Sequence, residues 1–387
     1  MEHPRTDMDN CPVALTQKLV QIDSSSPTLG SVGGPGETEI ATHVASWLRS
    51  RDIEVHWIEP TKGRPSVIGV ARGSGGGKTV MFNGHRDTVT LLGYESDPLS
   101  GKIEDGKLYG RGAADMKCGL AAAMVALANA KKLDLRGDVI FAGVADEEDT
   151  SFGTEDILRA GWRADAAVVN EPTNLEIIHA HRGFVWFEVN IHGVAYHGSR
   201  PDMGVDAISK AGHFLAELDR YADRLAMRKS GYAGSPSVHA STIKGGEEIS
   251  SYPAKCTNSI ERRTVPGETP ASVEEELVEI LEQIAKSTPK FEYDIKATFD
   301  RSPFELPTDH EFSRLVGDTL ESSTGEKLPF KAGPYWTDCA LLADAGIPAL
   351  LWGPKGDGLH SKEEWVEVES IKIVAEGLTG LAAKFCK

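Results

Sequence analysis

Histidines and carboxylates stand directly after segments that read as β-strands, and this placement is the chemically informative feature of the chain. His85 and Asp87 follow an apolar strand pattern that opens at Thr79 and runs over 79–82. Asp146, Glu147 and Glu148 follow one over 139–145, and Glu171 follows one over 166–169. His360 comes after a strand pattern over 347–352 and a glycine-rich loop, and Asp115 opens an alanine-rich helix pattern over 119–127. In open α/β sheets, ligands bind outside the carboxyl ends of the strands. These segments would therefore deliver imidazole and carboxylate groups to one edge. Histidines and carboxylates without a cysteine cluster suit zinc or a similar borderline divalent ion. There are more acids than one ion needs, which suggests two ions sharing a carboxylate, about 3.5–4 Å apart as in hydrolytic sites. Such a pair acidifies a shared water towards hydroxide and polarises a carbonyl oxygen, and a spare carboxylate beside it takes the water's proton.

Each part alone has a plainer reading. A His-x-Asp after a strand can be a solvated turn, 146–149 an acidic loop, and Asp115 a helix cap; the joint pattern argues for metal. Gly110-x-Gly112 lacks the third glycine of a dinucleotide fingerprint and is set aside. Residues 73–79 resemble a phosphate loop, but Arg72 stands where its first glycine is required, and a strand follows where a helix is needed. This segment reads as a hairpin turn.

The elements that must position these groups alternate between strand and helix, which argues an α/β sheet covered on both faces. A short helix reads over 15–21, a Ser/Gly/Pro-rich loop over 24–36, and Ile40, Val44, Trp47 and Leu48 recur at helical spacing. The middle of the chain differs. A strand over 184–191, an amphipathic helix over 205–225, strands over 238–244 and 254–262, a helix over 273–287 and a strand over 291–299 give the β-α-β-β-α-β order of a ferredoxin-like unit. The α/β pattern returns with a helix over 311–323. The expected division is a larger α/β domain from 1–183 and 301–387, with a small α+β domain inserted over 184–300.

The chain has 387 residues, with 41 Lys+Arg against 58 Asp+Glu and a formal net charge of −17. That balance carries no electrostatic footprint for nucleic acid and does not favour an anionic membrane surface. Five scattered cysteines argue against a disulfide framework. The polar N-terminus has no apolar signal core, and no stretch approaches a membrane span, so the expected compartment is the cytosol.

At the level of motifs the chain resembles the di-zinc amidohydrolase and exopeptidase superfamily of acetylornithine deacetylase, succinyl-diaminopimelate desuccinylase, aminoacylase-1 and carboxypeptidase G. The resemblance rests on Asn83-Gly-His-Arg-Asp-Thr-Val89, Tyr109-Gly-Arg-Gly-Ala-Ala-Asp-Met-Lys117, Asp146-Glu-Glu148 and Asn170-Glu-Pro-Thr173. His192-Gly-Val-Ala-Tyr-His-Gly-Ser-Arg-Pro201, Glu261-Arg-Arg-Thr-Val-Pro-Gly-Glu268 and Gly358-Leu-His-Ser361 with Glu364-Trp365 extend it towards the C-terminus. It implies an exopeptidase-like catalytic domain with a mixed sheet covered by helices, and an inserted ferredoxin-like domain serving as lid and dimerisation surface.

The resemblance also assigns roles. Asp115 would bridge two divalent ions, most readily zinc, with cobalt or manganese fitting the same donors. His85 and Glu171 would complete one site, and Glu148 and His360 the other. Glu147 would be the general base, and Asp87 would orient the His85 ring. His197 would stabilise the oxyanion and often comes from the partner subunit of a homodimer. Arg263 would clamp a substrate carboxylate, its plainer alternative being an ion pair with Glu261 or Glu268. The family pattern is broken at Cys118, which replaces a glycine, and at Ser250, which stands where many members carry a substrate-binding asparagine. The implied activity is hydrolysis of an amide bond in an N-acyl amino acid or short peptide carrying a free carboxylate. The same site run in reverse would form an amide, and a non-catalytic metal-binding regulatory protein is the reading from another class.

Overall fold

The computed structural model describes residues 10–387, which divide into two compact units. The first comprises residues up to 179, 306–331 and 337–387; the second comprises 180–305 and 332–336. Among the described residues, no helix is long and apolar enough to cross a membrane. All five cysteines are free thiols.

The first unit is built on a mixed sheet. Its strands run in the order Glu54–Ile58, Ser66–Ala71, Val139–Val144, Val80–His85, Ala166–Val169, Ala349–Leu351 and Ile177–His181. The Val139, Val80, Ala166 and Ala349 strands are mutually parallel, and antiparallel pairs flank them. Every residue of these four strands except those at the sheet's polar exit is apolar or glycine, as expected where both faces are covered. Because the four run in one direction, their carboxyl ends share one edge, and the register sets His85 level with Val144. The helix Cys118–Ala130 is almost wholly buried, which explains its alanine-rich composition: small side chains on all sides let it pack closely. At Gly119 the approach is tightest, since an added Cβ would meet the Asn170 carbonyl oxygen at 1.8 Å.

The segment 73–79 is not a hairpin turn. The Ser66–Ala71 and Val80–His85 strands that it joins both pair with Val139–Val144, which lies between them. The loop is instead held by the segment before that intervening strand: the Gly73 amide donates to Asp138 Oδ1 (2.9 Å), and those of Ser74 and Gly75 donate to Leu135 and Arg136 carbonyls.

The second unit has the expected ferredoxin-like order. Its antiparallel sheet runs Ser237–Gly245, Lys255–Thr264, Gly183–His192, Glu292–Arg301. Two amphipathic helices, Ala207–Ala226 and Pro270–Ser287, bury Phe214, Leu218, Leu277 and Leu281 against Val185, Phe187, Val189 and Ile191 of the sheet. Both helices begin on side-chain caps. Asp206 accepts from the Ser209 amide, and Thr269 forms a capping box with Ser272 ahead of Pro270.

Candidate metal centre

At the carboxyl edge of the first unit's parallel strands, seven side chains singled out in the sequence come together: His85, Asp87, Asp115, Glu147, Glu148, Glu171 and His360. His85 Nε2 lies 3.1 Å from Asp115 Oδ1, 3.5 Å from Glu171 Oε1 and 3.8 Å from Glu147 Oε2. On the other side of Asp115, Oδ2 is 3.3 Å from His360 Nε2, which is 2.9 Å from Glu148 Oε2. Two sets of donor atoms result, His85–Asp115–Glu171 and Asp115–Glu148–His360. Within each set, all atoms lie within 4.8 Å of one another. Asp115 belongs to both sets, and Glu147 belongs to neither.

The backbone explains how these groups are aimed. His85 ends its strand with its Nδ1 against the Asp87 carbonyl oxygen (3.0 Å), which leaves Nε2 for the centre. The Asp87 carboxylate accepts the amides of Glu147 (3.2 Å) and Glu148 (3.1 Å), so one buried acid fixes the turn bearing the spare carboxylate and a donor. Asp146, before them, has φ 63°, a conformation costing a non-glycine residue about 1–3 kcal/mol. Its carboxylate accepts from Arg64 (2.7 Å) and the Thr150 hydroxyl (2.5 Å), and Arg64 is gripped on Nε and Nη2 by the buried Glu37.

A second clasp holds Asp115. The buried Glu364 carboxylate accepts the backbone amides of Gly112 (3.0 Å), Ala114 (2.9 Å) and Asp115 (2.9 Å), and pairs with Arg111 (2.8 Å). Arg111 also donates to the Ser361 carbonyl, next to His360. The donor loops from distant parts of the chain are thereby tied together.

The electrostatics follow from this crowding of carboxylates and imidazoles. Burial pushes the Glu147 and Glu171 carboxyls well above their usual range, with His85 opposing the shift. Burial and the neighbouring Asp115 push Glu148 up to about 7. Burial would lower His85, but Glu171, Asp115 and Asp87 outweigh it and hold the imidazole protonated well above its usual range. Hydrogen bonds to Asp115 and Glu148 raise His360 to about 10. Asp115 is driven the other way: burial opposes its charge, and the hydrogen bonds from His360 and His85 overcome that. Converging acids thus depend on protons and on the two histidines for balance. Divalent cations provide that balance directly, and the oxygen-and-imidazole donor set fits them.

The residues from 81 to 384 match the model of peptidase family M20/M25/M40. The chain belongs to this family. It is 30% identical to an acetylornithine deacetylase of Myxococcus xanthus over 83% of this chain and 84% of that one. It is 28% identical to an acetylornithine deacetylase of Proteus mirabilis (strain HI4320), over 97% and 96% of the two chains. Among solved structures, aminopeptidase PepT from Bacillus cereus ATCC 10987 superposes with a TM-score of 0.80 at 20% identity, covering 98% of this chain and 99% of that one. A dinuclear metal-binding peptidase of the M20 family from Bacillus subtilis does so with a TM-score of 0.73 at 17% identity, covering 98% of each chain. The M20 fold is therefore that of the whole chain.

The remaining sequence candidates lie in the second unit of this M20 chain. His197 is exposed, with Nδ1 2.8 Å from the Ser199 hydroxyl, and the Gly198 amide donates to the carbonyl of exposed Ser250 (2.7 Å). Arg263 is ion-paired through Nε with Glu261 Oε1 at 2.6 Å. In the first unit, Cys118 is buried and donates its thiol to the Ala114 carbonyl (3.2 Å). Sequence reasoning missed the parts that brace the donors. Glu364 and Arg111 stand inside the quoted motifs, four residues from His360 and Asp115 respectively, so their spacing was a usable signal. Glu37 and Arg64 carry no such signal; they are polar residues made important only by the fold. Asp338, which accepts from Thr154 (2.7 Å) and adds negative charge beside Glu147 and Glu171, was likewise silent.

Proposed function

We propose that this chain is a metal-dependent hydrolase of the amide bond in N-acyl amino acids or short peptides with a free carboxylate. The observation that carries this reading is the paired donor sets sharing Asp115, with Glu147 beside them and outside both. The names of its relatives support amide hydrolysis as the reaction class.

In this reading His85, Asp115 and Glu171 hold one divalent ion, and Asp115, Glu148 and His360 hold the other. Bound ions supply Lewis acidity at the substrate carbonyl and lower the pKa of a water. Glu147 accepts the attacking water's proton on a carboxylate oxygen and passes it to the leaving nitrogen, which departs as an amine. Its burial suits that work, because a desolvated carboxylate holds a proton more readily than an exposed one. Asp87 keeps the base in place through the Glu147 amide. Arg263 binds the substrate carboxylate, and His197 donates to the oxygen that becomes negative when the carbonyl is attacked; Ser250 is a further contact on the same unit.

Glu147→Ala tests the assignment. Turnover of N-acetyl amino acids should fall by about 10²–10⁴-fold, as for loss of a general acid–base group, with metal content unchanged. Full turnover in that variant contradicts the base assignment.

A further inference from the structure

Within the first unit, Glu147 and Glu148 ride on a turn bounded by unusual backbone. Asp146, before them, has φ 63°, and Ser151, after them, has φ 62°; both lie in the left-handed region that L-residues avoid. Local hydrogen bonds close this turn on itself. The Ser151 amide donates to the Asp146 carbonyl oxygen (2.5 Å), the Ser151 hydroxyl to the Glu147 carbonyl oxygen (3.0 Å), and the Thr150 amide to Asp146 Oδ2 (3.2 Å). The Asp87 carboxylate holds the turn through the Glu147 and Glu148 amides. A second hold comes from Arg64.

The Arg64 guanidinium is itself tightly fixed. Its Nε donates to Glu37 Oε2 (2.5 Å) and its Nη2 to Glu37 Oε1 (2.7 Å), a bidentate pair with a wholly buried carboxylate. Nη2 also donates to Asp146 Oδ1 (2.7 Å), and Glu37 Oε1 accepts the Asp146 amide (3.2 Å). The guanidinium carbon lies 5.3 Å from the centre of the Phe152 ring, which follows Ser151. The backbone beside Arg64 is held in turn by Arg86, the residue between His85 and Asp87. Arg86 donates through Nη2 to the Pro65 carbonyl oxygen and through Nε to that of Gly143 (3.1 Å). Arg86 is wholly buried, and Gly143 leaves it room, since an added Cβ would lie 3.2 Å from Arg86 Cδ. A guanidinium has donors and no acceptor. Neither arginine can therefore ligate a cation; both hold backbone.

We propose that Arg64 is the positioning residue for Glu147: gripped by Glu37 and steadied through Pro65 by Arg86, it fixes Asp146 and so the line along which the base meets the attacking water. The inference rests on the amide-hydrolase reading above and adds a residue that acts on the reaction through the base. One planar fork serves two carboxylates here, a task that the point charge of a lysine ammonium cannot reproduce. The demand on geometry is high, because a misplacement of about 1 Å can cost on the order of 10²-fold in rate.

Arg64→Lys and Asp146→Gly, each made in the wild-type chain and in Glu147→Ala, test this on zinc-loaded protein with N-acetyl amino acids. Lysine keeps the charge and loses the fork; glycine adopts the left-handed conformation freely and loses the contact. In the wild-type chain, each substitution should lower kcat by about 10–100-fold, the scale of a misplaced catalytic group. KM should stay within about twofold, and the zinc retained per chain should not change. In Glu147→Ala, neither should lower the residual turnover further, because effects that act through one group do not add. Full turnover of either single variant overturns the proposal. So does an equal further loss in the Glu147→Ala background, or a loss that tracks released zinc. Wild-type turnover in Glu147→Ala refutes the base reading, and this inference with it. A loss in Glu147→Ala that Arg64→Lys and Asp146→Gly do not share refutes the inference alone.

Discussion

Glu148 and His360 give the centre a definite pH dependence. Both have folded-state pKa values above their usual ones, Glu148 at about 7 and His360 at about 10. Without metal, the folded chain therefore holds protons that the unfolded chain has released. Their contribution to stability is fully present below the ordinary carboxylate pKa and is lost as pH rises through about 7 and on towards 10. Metal reverses the trend, because cations bind the deprotonated donors and their affinity rises with pH. The melting temperature of chelator-treated protein should fall relative to metal-loaded protein between about pH 5 and about pH 8, with the gap widening steadily. A constant gap contradicts this account. The residues responsible were legible in the sequence because each follows a strand or opens a helix. Their protonation was not, because it depends on burial and on neighbours from distant segments.

The elements hold the donors through a few close contacts. Glu364 neutralises buried Arg111 while accepting the backbone amides of the Asp115 loop. Removing one partner of a buried pair typically costs about 3–5 kcal/mol. Glu364→Ala should show a loss of that size in denaturant unfolding, together with weaker metal retention; unchanged stability would mean that the clasp contributes nothing. Gly119 makes the second contact. A methyl group there runs into the Asn170 carbonyl oxygen, one residue before the Glu171 donor. Gly119→Ala should destabilise the chelator-treated protein by about 1–3 kcal/mol, the usual cost of overpacking, measured by the same unfolding. The sequence revealed the helix by its alanines, but not why position 119 must lack a side chain, since that depends on a loop some fifty residues away. The same limit explains the misread 73–79 segment. Strand patterns mark strands, and an intervening strand from later in the chain turns an apparent hairpin into a crossing loop.

At the scale of the molecule, two units share one chain, and among the described residues the clustered donors lie in the first. Strand and helix patterns along the sequence carried the fold class through to the ferredoxin-like strand order of the second unit, because each pattern marks an element. The register shift between Ala297 and Phe299 in the Glu292–Arg301 strand was illegible there, since a bulge leaves the alternation of the sequence without a mark. The central claim is that Asp115 serves two donor sets at once. It is tested most directly by titrating chelator-treated protein with zinc and counting the ions retained per chain. The account predicts close to two tightly held ions, as in two-metal hydrolytic sites, with both weakened by Asp115→Ala. Saturation at a single ion, or two ions unaffected by that substitution, would contradict it.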